Sequence, residues 1–170
     1  MSIDRVPVPG VTRSLFLCAR DDVAPDPDGA LAAAGDASLV VCLNEEHELE
    51  RYPAYLDWLR INEGERALWS PTRDWNAQPL VSAWPTIQMV AHRLERGDGA
   101  LVHCAMGQGR AGTMAVCVML ALGVDRDEAL RIVAEHRRHA GPASRAQWAL
   151  VDAVTSHVST RGAVEGPLPR

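Results

Sequence analysis

Along the first hundred residues, short unbroken apolar runs are separated by longer stretches in which apolar side chains recur at helical spacing. Four runs read as strands: "SLFLCA" at 14–19, "SLVVCL" at 38–43, "RALWS" at 66–70 and "ALVH" at 100–103. None shows polar alternation, the pattern of strands covered on both faces in a parallel sheet flanked by helices. From Ser82 to Glu95 the residues Trp84, Ile87, Ala91 and Leu94 share one stripe, which predicts a helix with Ser82 as N-cap and Pro85 in the tolerated first turn. Pro53 is expected to split 46–62 into two pieces.

Past residue 104 the pattern changes. Three helical stretches follow one another with no strand between them, at 110–122, 126–139 and 144–159, the second opened by Asp125 as N-cap. The first is apolar nearly all round and belongs inside; the last places Leu150, Val151, Val154 and Val158 on one face. The expectation is an α/β fold: a mostly parallel central sheet of four to five strands flanked by helices, with a C-terminal helical cluster. One domain is expected over 1–160. The ends, "MSIDRVPVPG" and "RGAVEGPLPR", are rich in Pro and Gly and are expected to be irregular or frayed, with 161–170 a flexible tail.

At 170 residues and 47% apolar content, the chain can bury a substantial core. Its net charge of −5, with basic residues spread rather than clustered, argues against nucleic acid as a partner. The longest apolar run, 114–124, is too short to span a bilayer, and the N-terminus lacks the order of a signal peptide. No membrane partner and a cytoplasmic location are therefore expected. Cys18, Cys42, Cys104 and Cys117 sit in apolar runs without Cys-x-x-Cys pairing, so reduced thiols are expected and neither disulfides nor metal ligands.

The chemistry concentrates in "LVHCAMGQGRAGTM", 101–114. These letters contain both a Gly-x-Gly-x-x-Gly and a Cys, five residues, then an Arg. A dinucleotide fingerprint requires a second parallel strand after the helix, and "DRDEALRIVAEHRR" is helical instead. A Walker loop fails for want of a Gly-Lys-Ser/Thr ending. The cysteine reading accounts for more. A thiolate at the end of a buried strand, facing a helix N-terminus, is stabilised by free backbone N–H groups and the positive end of the dipole. Residues Ala105, Met106, Gly107, Gln108 and Gly109 can curl so that their amides converge on one oxyanion, the glycines permitting the backbone angles of such a nest. Arg110 can close the ring with a bidentate fork on two phosphoryl oxygens.

At these residues the chain resembles the cysteine-dependent protein tyrosine phosphatases, whose signature is His-Cys, five residues, Arg, then usually Ser or Thr. The compact dual-specificity branch is the most similar, and the likeness extends from about Leu39 through "VVCLNEEHELERYP", "WSPTRDWNAQP" and "DEALRIVAEHRRHAGPASRAQWALVDAV". The resemblance implies a protein tyrosine phosphatase-like fold and four catalytic residues: Cys104 as nucleophile, Arg110 as phosphate ligand, Asp74 as general acid and His103 as the residue that orders the loop and lowers the thiol pKa. Asp74 precedes Cys104 by thirty residues, in a loop after the strand at 66–70. Asp57 and Asp98 are its rivals. Gln147 matches a glutamine that sits near the site in related enzymes, against an ordinary exposed helical glutamine. Arg137 and Arg138 either border the cleft or belong to a solvated helix end.

One position departs from the pattern: Ala111 replaces the hydroxyl residue that bonds the sulfur, and Thr113 supplies a hydroxyl two residues later. The expected reaction is cofactor-free and metal-independent hydrolysis of a phosphate monoester through a phosphocysteine. A phosphorylated protein is the expected substrate, with phosphotyrosine favoured over phosphoserine or phosphothreonine. Two other readings stay open: a phosphate-binding module that has lost turnover, and redox chemistry between Cys104 and Cys18 or Cys42.

Overall fold

The computed structural model describes residues 2–35 and 37–164. Its strands are β1 (Asp4–Pro7), β2 (Ser14–Ala19), β3 (Ala37–Cys42), β4 (Ala67–Trp69) and β5 (Gly99–Cys104), joined in one sheet in the order β1-β2-β5-β3-β4. All neighbours are parallel except β1, which runs antiparallel to β2 with Val6 opposite Leu15. Every residue of β5, the central strand, is buried, as its unbroken apolar run requires.

The helices are α1 (Arg20–Val23), α2 (Pro27–Ala34), α3 (Pro53–Asn62), α4 (Leu80–Glu95), α5 (Gly109–Ala121), α6 (Arg126–His136) and α7 (Arg145–Val164), with a 3₁₀ turn at Glu46–Leu49. Because side chains alternate across a strand, each strand feeds two cores. On one face Leu15, Leu17, Val41 and Val102 pack against Ile87, Val90 and Leu94 of α4, the length of α5, and Val151 and Val154 of α7. On the other, Phe16, Cys18, Val40, Cys42 and Leu101 pack against Val23, Leu31, Leu49, Tyr55 and Leu59. Each buried aliphatic side chain of this kind contributes about 1.5–3 kcal/mol. α5 is buried from Arg110 to Leu120, which explains why its sequence shows no polar face.

Several expectations are corrected. The N-terminal decapeptide is not irregular: Val6 and Val8 are buried in the core, and β1 lies on the sheet edge, the place where a strand accepts Pro7. α1 and α2 were not foreseen. α2 is alanine-rich and shows little contrast between faces, yet Asp26 caps it by accepting from the Gly29 N–H, Pro27 opens it, and Gly35 closes it at φ 79°. α4 begins at Leu80, with the Pro79 carbonyl taking the Ser82 and Ala83 N–H groups, so Ser82 is not the cap and Pro85 lies inside the helix. α6 ends at His136 rather than 139, and α7 runs to Val164 rather than 159. Of the tail expected at 161–170, residues 165–170 lie outside the described residues. Pro53 does split its segment, and Asp125 caps α6 through the N–H groups of Asp127 and Glu128. Among the described residues, no helix is long and apolar enough to cross a membrane.

Candidate active site

The residues singled out above gather at the C-terminal ends of the parallel strands, where open α/β sheets bind ligands. Cys104 is the last residue of β5 and 3% exposed; four residues later α5 begins. The loop between them is held from outside by its carbonyls. The Arg20 N–H donates to Ala105 O at 3.3 Å, Arg137 Nη2 donates to Met106 O at 2.8 Å, and Gln108 O accepts from the N–H groups of Gly112 at 2.7 Å and Gly141 at 3.4 Å. A trans peptide points its N–H opposite to its carbonyl, so the amides of Met106, Gly107 and Gly109 are turned toward the loop interior. Together with the N-terminus of α5 they form an anion nest. Gly107 is required: its φ is 67°, and a Cβ there would collide with the carbonyl of Cys18.

Arg110 sits on the first turn of α5 with a 1% exposed side chain. Glu48 takes it side-on, Nη1 donating to Oε2 at 2.7 Å and Nη2 to Oε1 at 2.8 Å. Nη1 also donates to Thr72 O at 2.8 Å, and Nη2 lies 3.3 Å from Asp74 Oδ1. Nε is buried and meets no acceptor among the described residues. Burial works against the charge on Arg110, but Glu48, Cys104 and Asp74 outweigh it and raise its pKa. Glu48 is in turn braced by Asn44 Nδ2 and the Glu45 N–H, both at 2.8 Å. Burial alone would push its pKa up; the hydrogen bonds and charge of Arg110, with Glu45 and Asn44, hold it at about 2. Sequence reading missed Glu48. The signal lay in the demand itself, since a buried arginine needs a carboxylate partner.

Asp74 follows β4 in a loop whose backbone is fixed at several points. Besides the Thr72 bond, Gln78 Nε2 donates to Pro71 O at 2.8 Å and Gln147 Nε2 donates to Asn76 O at 3.3 Å. The Asp74 side chain is 62% exposed, and Trp75 beside it holds φ 55°. Gln147 is 2% exposed; its Oε1 accepts from the Ala143 N–H at 2.8 Å, and its amide packs against Gly109. It is thus a buried link between the acid loop, the phosphate loop and α7, not an exposed helical residue. The rivals of Asp74 lie in surface ion pairs, Asp57 with Arg60 at 3.7 Å and Asp98 with Arg93 at 3.6 Å. Arg137, too, is no solvated helix end: it is 10% exposed and pairs with Asp4 at 2.7 Å, whereas Arg138 is exposed.

His103 and Cys104, adjacent in β5, face opposite sides of the sheet. His103 Nε2 meets the Tyr55 hydroxyl at 2.5 Å. Burial pushes the imidazole pKa down, and the charges of Arg110 and Arg20 add to the push, bringing it to about 3 despite the Cys104 backbone and Glu48. A neutral His103 contributes anchoring to the strand end rather than a positive charge. Cys18 and Cys42 pair in register with His103 and belong to its face, not to that of Cys104. Burial pushes Cys18, Cys42 and Cys117 up to about 12. Ala111 is fully buried, and the Thr113 hydroxyl donates to Gly109 O at 2.7 Å, so its proton is spent within the helix.

This arrangement can hold a tetrahedral oxyanion between inward amides and a guanidinium, over a cysteine sulfur, with a carboxyl group at the rim. Solved structures share the fold. Kinase associated phosphatase, solved with its catalytic site cysteine replaced by serine, is 18% identical with a TM-score of 0.75, over 99% of this chain and 98% of that one. Human DUSP28 is 20% identical with a TM-score of 0.71, over 95% and 99%. PTPMT1 is 18% identical with a TM-score of 0.72, over 96% and 100%. No curated protein sequence matches. The profile of the Swiss Army Knife protein DSP-PTPase phosphatase domain, however, matches residues 11–161, and with that span the chain belongs to this family of dual-specificity phosphatase-like domains.

Proposed function

We propose that the chain is a phosphate monoester hydrolase that works through a phosphocysteine, with phosphotyrosyl protein as its leading substrate. The observation that carries this reading is Arg110: its guanidinium is locked by Glu48 while its buried Nε lacks an acceptor, a donor that a phosphoryl oxygen would satisfy. Cys104 Sγ attacks phosphorus and the P–O bond to the leaving group breaks. Arg110 and the amides of 105–110 hold the equatorial oxygens, and their grip tightens as charge develops. Asp74 gives its proton to the leaving oxygen. Asp74 then accepts a proton from water, whose oxygen attacks phosphorus and releases the sulfur as thiolate.

PTPMT1 has been solved in complex with PI(5)P. A protein substrate is favoured here because Ala105, Met106 and Gln108 bring no positive charge to the loop. A second reading, a phosphate-binding module with little turnover, is favoured by Ala111 and by the committed Thr113 hydroxyl. Hydrolysis of p-nitrophenyl phosphate in excess EDTA by wild type, Cys104→Ser and Asp74→Asn separates the two. Turnover lost in Cys104→Ser supports the hydrolase; turnover retained there removes Cys104 as nucleophile. An inert wild type that still binds phosphate supports the binding module.

A further inference from the structure

The phosphate loop has one peptide whose orientation its own sequence leaves open. Between Met106 and Gly107 the carbonyl points out and the Gly107 N–H points in, and glycine populates both signs of φ with little penalty. Gly107 cannot carry a side chain that would fix the peptide, because the Cys18 carbonyl occupies that space. Rotating this peptide would aim an oxygen at the bound phosphate and withdraw a donor. The group that opposes the rotation is Arg137, just past α6, whose Nη2 donates to Met106 O at 2.8 Å.

Arg137 is itself anchored. Its Nη1 donates to Asp4 Oδ2 at 2.7 Å and to Leu17 O at 3.1 Å, which ties it to β1 and β2. Asp4 lies outside the stretch 11–161 that matches the family, so the anchor comes from a strand beyond the shared domain. We infer that Arg137 is a positioning residue for oxyanion capture, anchored by Asp4, and that it holds the Met106–Gly107 peptide with its N–H toward the substrate. This rests on the phosphatase reading of the site. It also assigns β1 a part in that site: the strand supplies the carboxylate that aims the guanidinium.

The test compares Arg137→Met, Arg137→Lys, Asp4→Asn and the double variant with Val154→Ala, a core truncation that lowers stability without touching the loop. Readouts are Tm, kcat and KM for p-nitrophenyl phosphate, and the inhibition constant for vanadate. Misplacing one donor is expected to lower kcat about 10- to 100-fold in Arg137→Met and to weaken vanadate by about tenfold or more. Asp4→Asn moves both in the same direction by less, the double variant is no worse than Arg137→Met, and Arg137→Lys recovers part of the loss. Val154→Ala lowers Tm with vanadate affinity unchanged. Vanadate affinity within about twofold of wild type in Arg137→Met, or an equal loss in Val154→Ala, overturns the inference. If Arg137→Met does not fold, Arg137→Lys and Asp4→Asn decide by the same criterion. If wild type proves inert, the phosphatase reading fails separately, and inorganic phosphate binding followed by ³¹P NMR decides the role of Arg137.

Discussion

Glu48 holds Arg110 by both terminal nitrogens, so the guanidinium is fixed in plane before any substrate arrives. Removing this partner leaves a buried arginine uncompensated. Glu48→Gln is expected to cost on the order of 3 kcal/mol in urea unfolding, the scale of a broken buried pair. It should also raise KM for p-nitrophenyl phosphate. Because the folded pKa of Glu48 lies at about 2, below its ordinary 4.5, its contribution is complete above 4.5 and lost as pH falls toward 2. Acid titration of stability should show this step in wild type and not in Glu48→Gln.

His103 carries the same sign of linkage in a different window. Its folded pKa of about 3 lies below the ordinary 6.5, so burying it neutral favours the fold fully above 6.5, and this contribution is lost as pH falls toward 3. Imidazole NMR signals of His103 should stay those of a neutral ring between about pH 5 and pH 8, the range in which an ordinary histidine titrates. A titration in that range would contradict the burial assigned here.

Gly107→Ala puts a methyl group against the Cys18 carbonyl at a positive φ. The expected cost is about 1–3 kcal/mol of stability, with a larger relative loss of phosphate or vanadate binding, because the strain falls on the loop that makes the site. Thermal unfolding and vanadate inhibition, measured together, check it.

Ala111→Ser should quicken the second displacement by giving the leaving sulfur a hydrogen-bond donor. Rapid-quench kinetics should show a burst in wild type that shrinks in Ala111→Ser as steady-state turnover rises. Thr113→Val should leave the burst unchanged, since its hydroxyl is already bonded to Gly109 O.

What could be read from the letters was what depends on near neighbours. The nest needs a strand, glycines at fixed places and an arginine, all within 101–114, and the strand and helix runs are equally local. Three parts escaped because their meaning lies in distant partners. Glu48 sits in a run of acids, "NEEHELE", and only the approach of α5 selects one of them for Arg110. Gln147 acquires its role from Asn76, and Arg137 from Asp4. β1 was hidden by its proline, which reads as a breaker until an edge position in the sheet is known.

The opposed directions of His103 and Cys104 leave the reactive sulfur without kin. Cys18 and Cys42 lie across the sheet, and Cys117 is more than two turns down α5. Side chains aimed away from one another cannot be bridged without moving the backbone. A sulfenic acid formed at Cys104 would therefore find no protein thiol to condense with, and its rescue would fall to a small thiol diffusing in from solution.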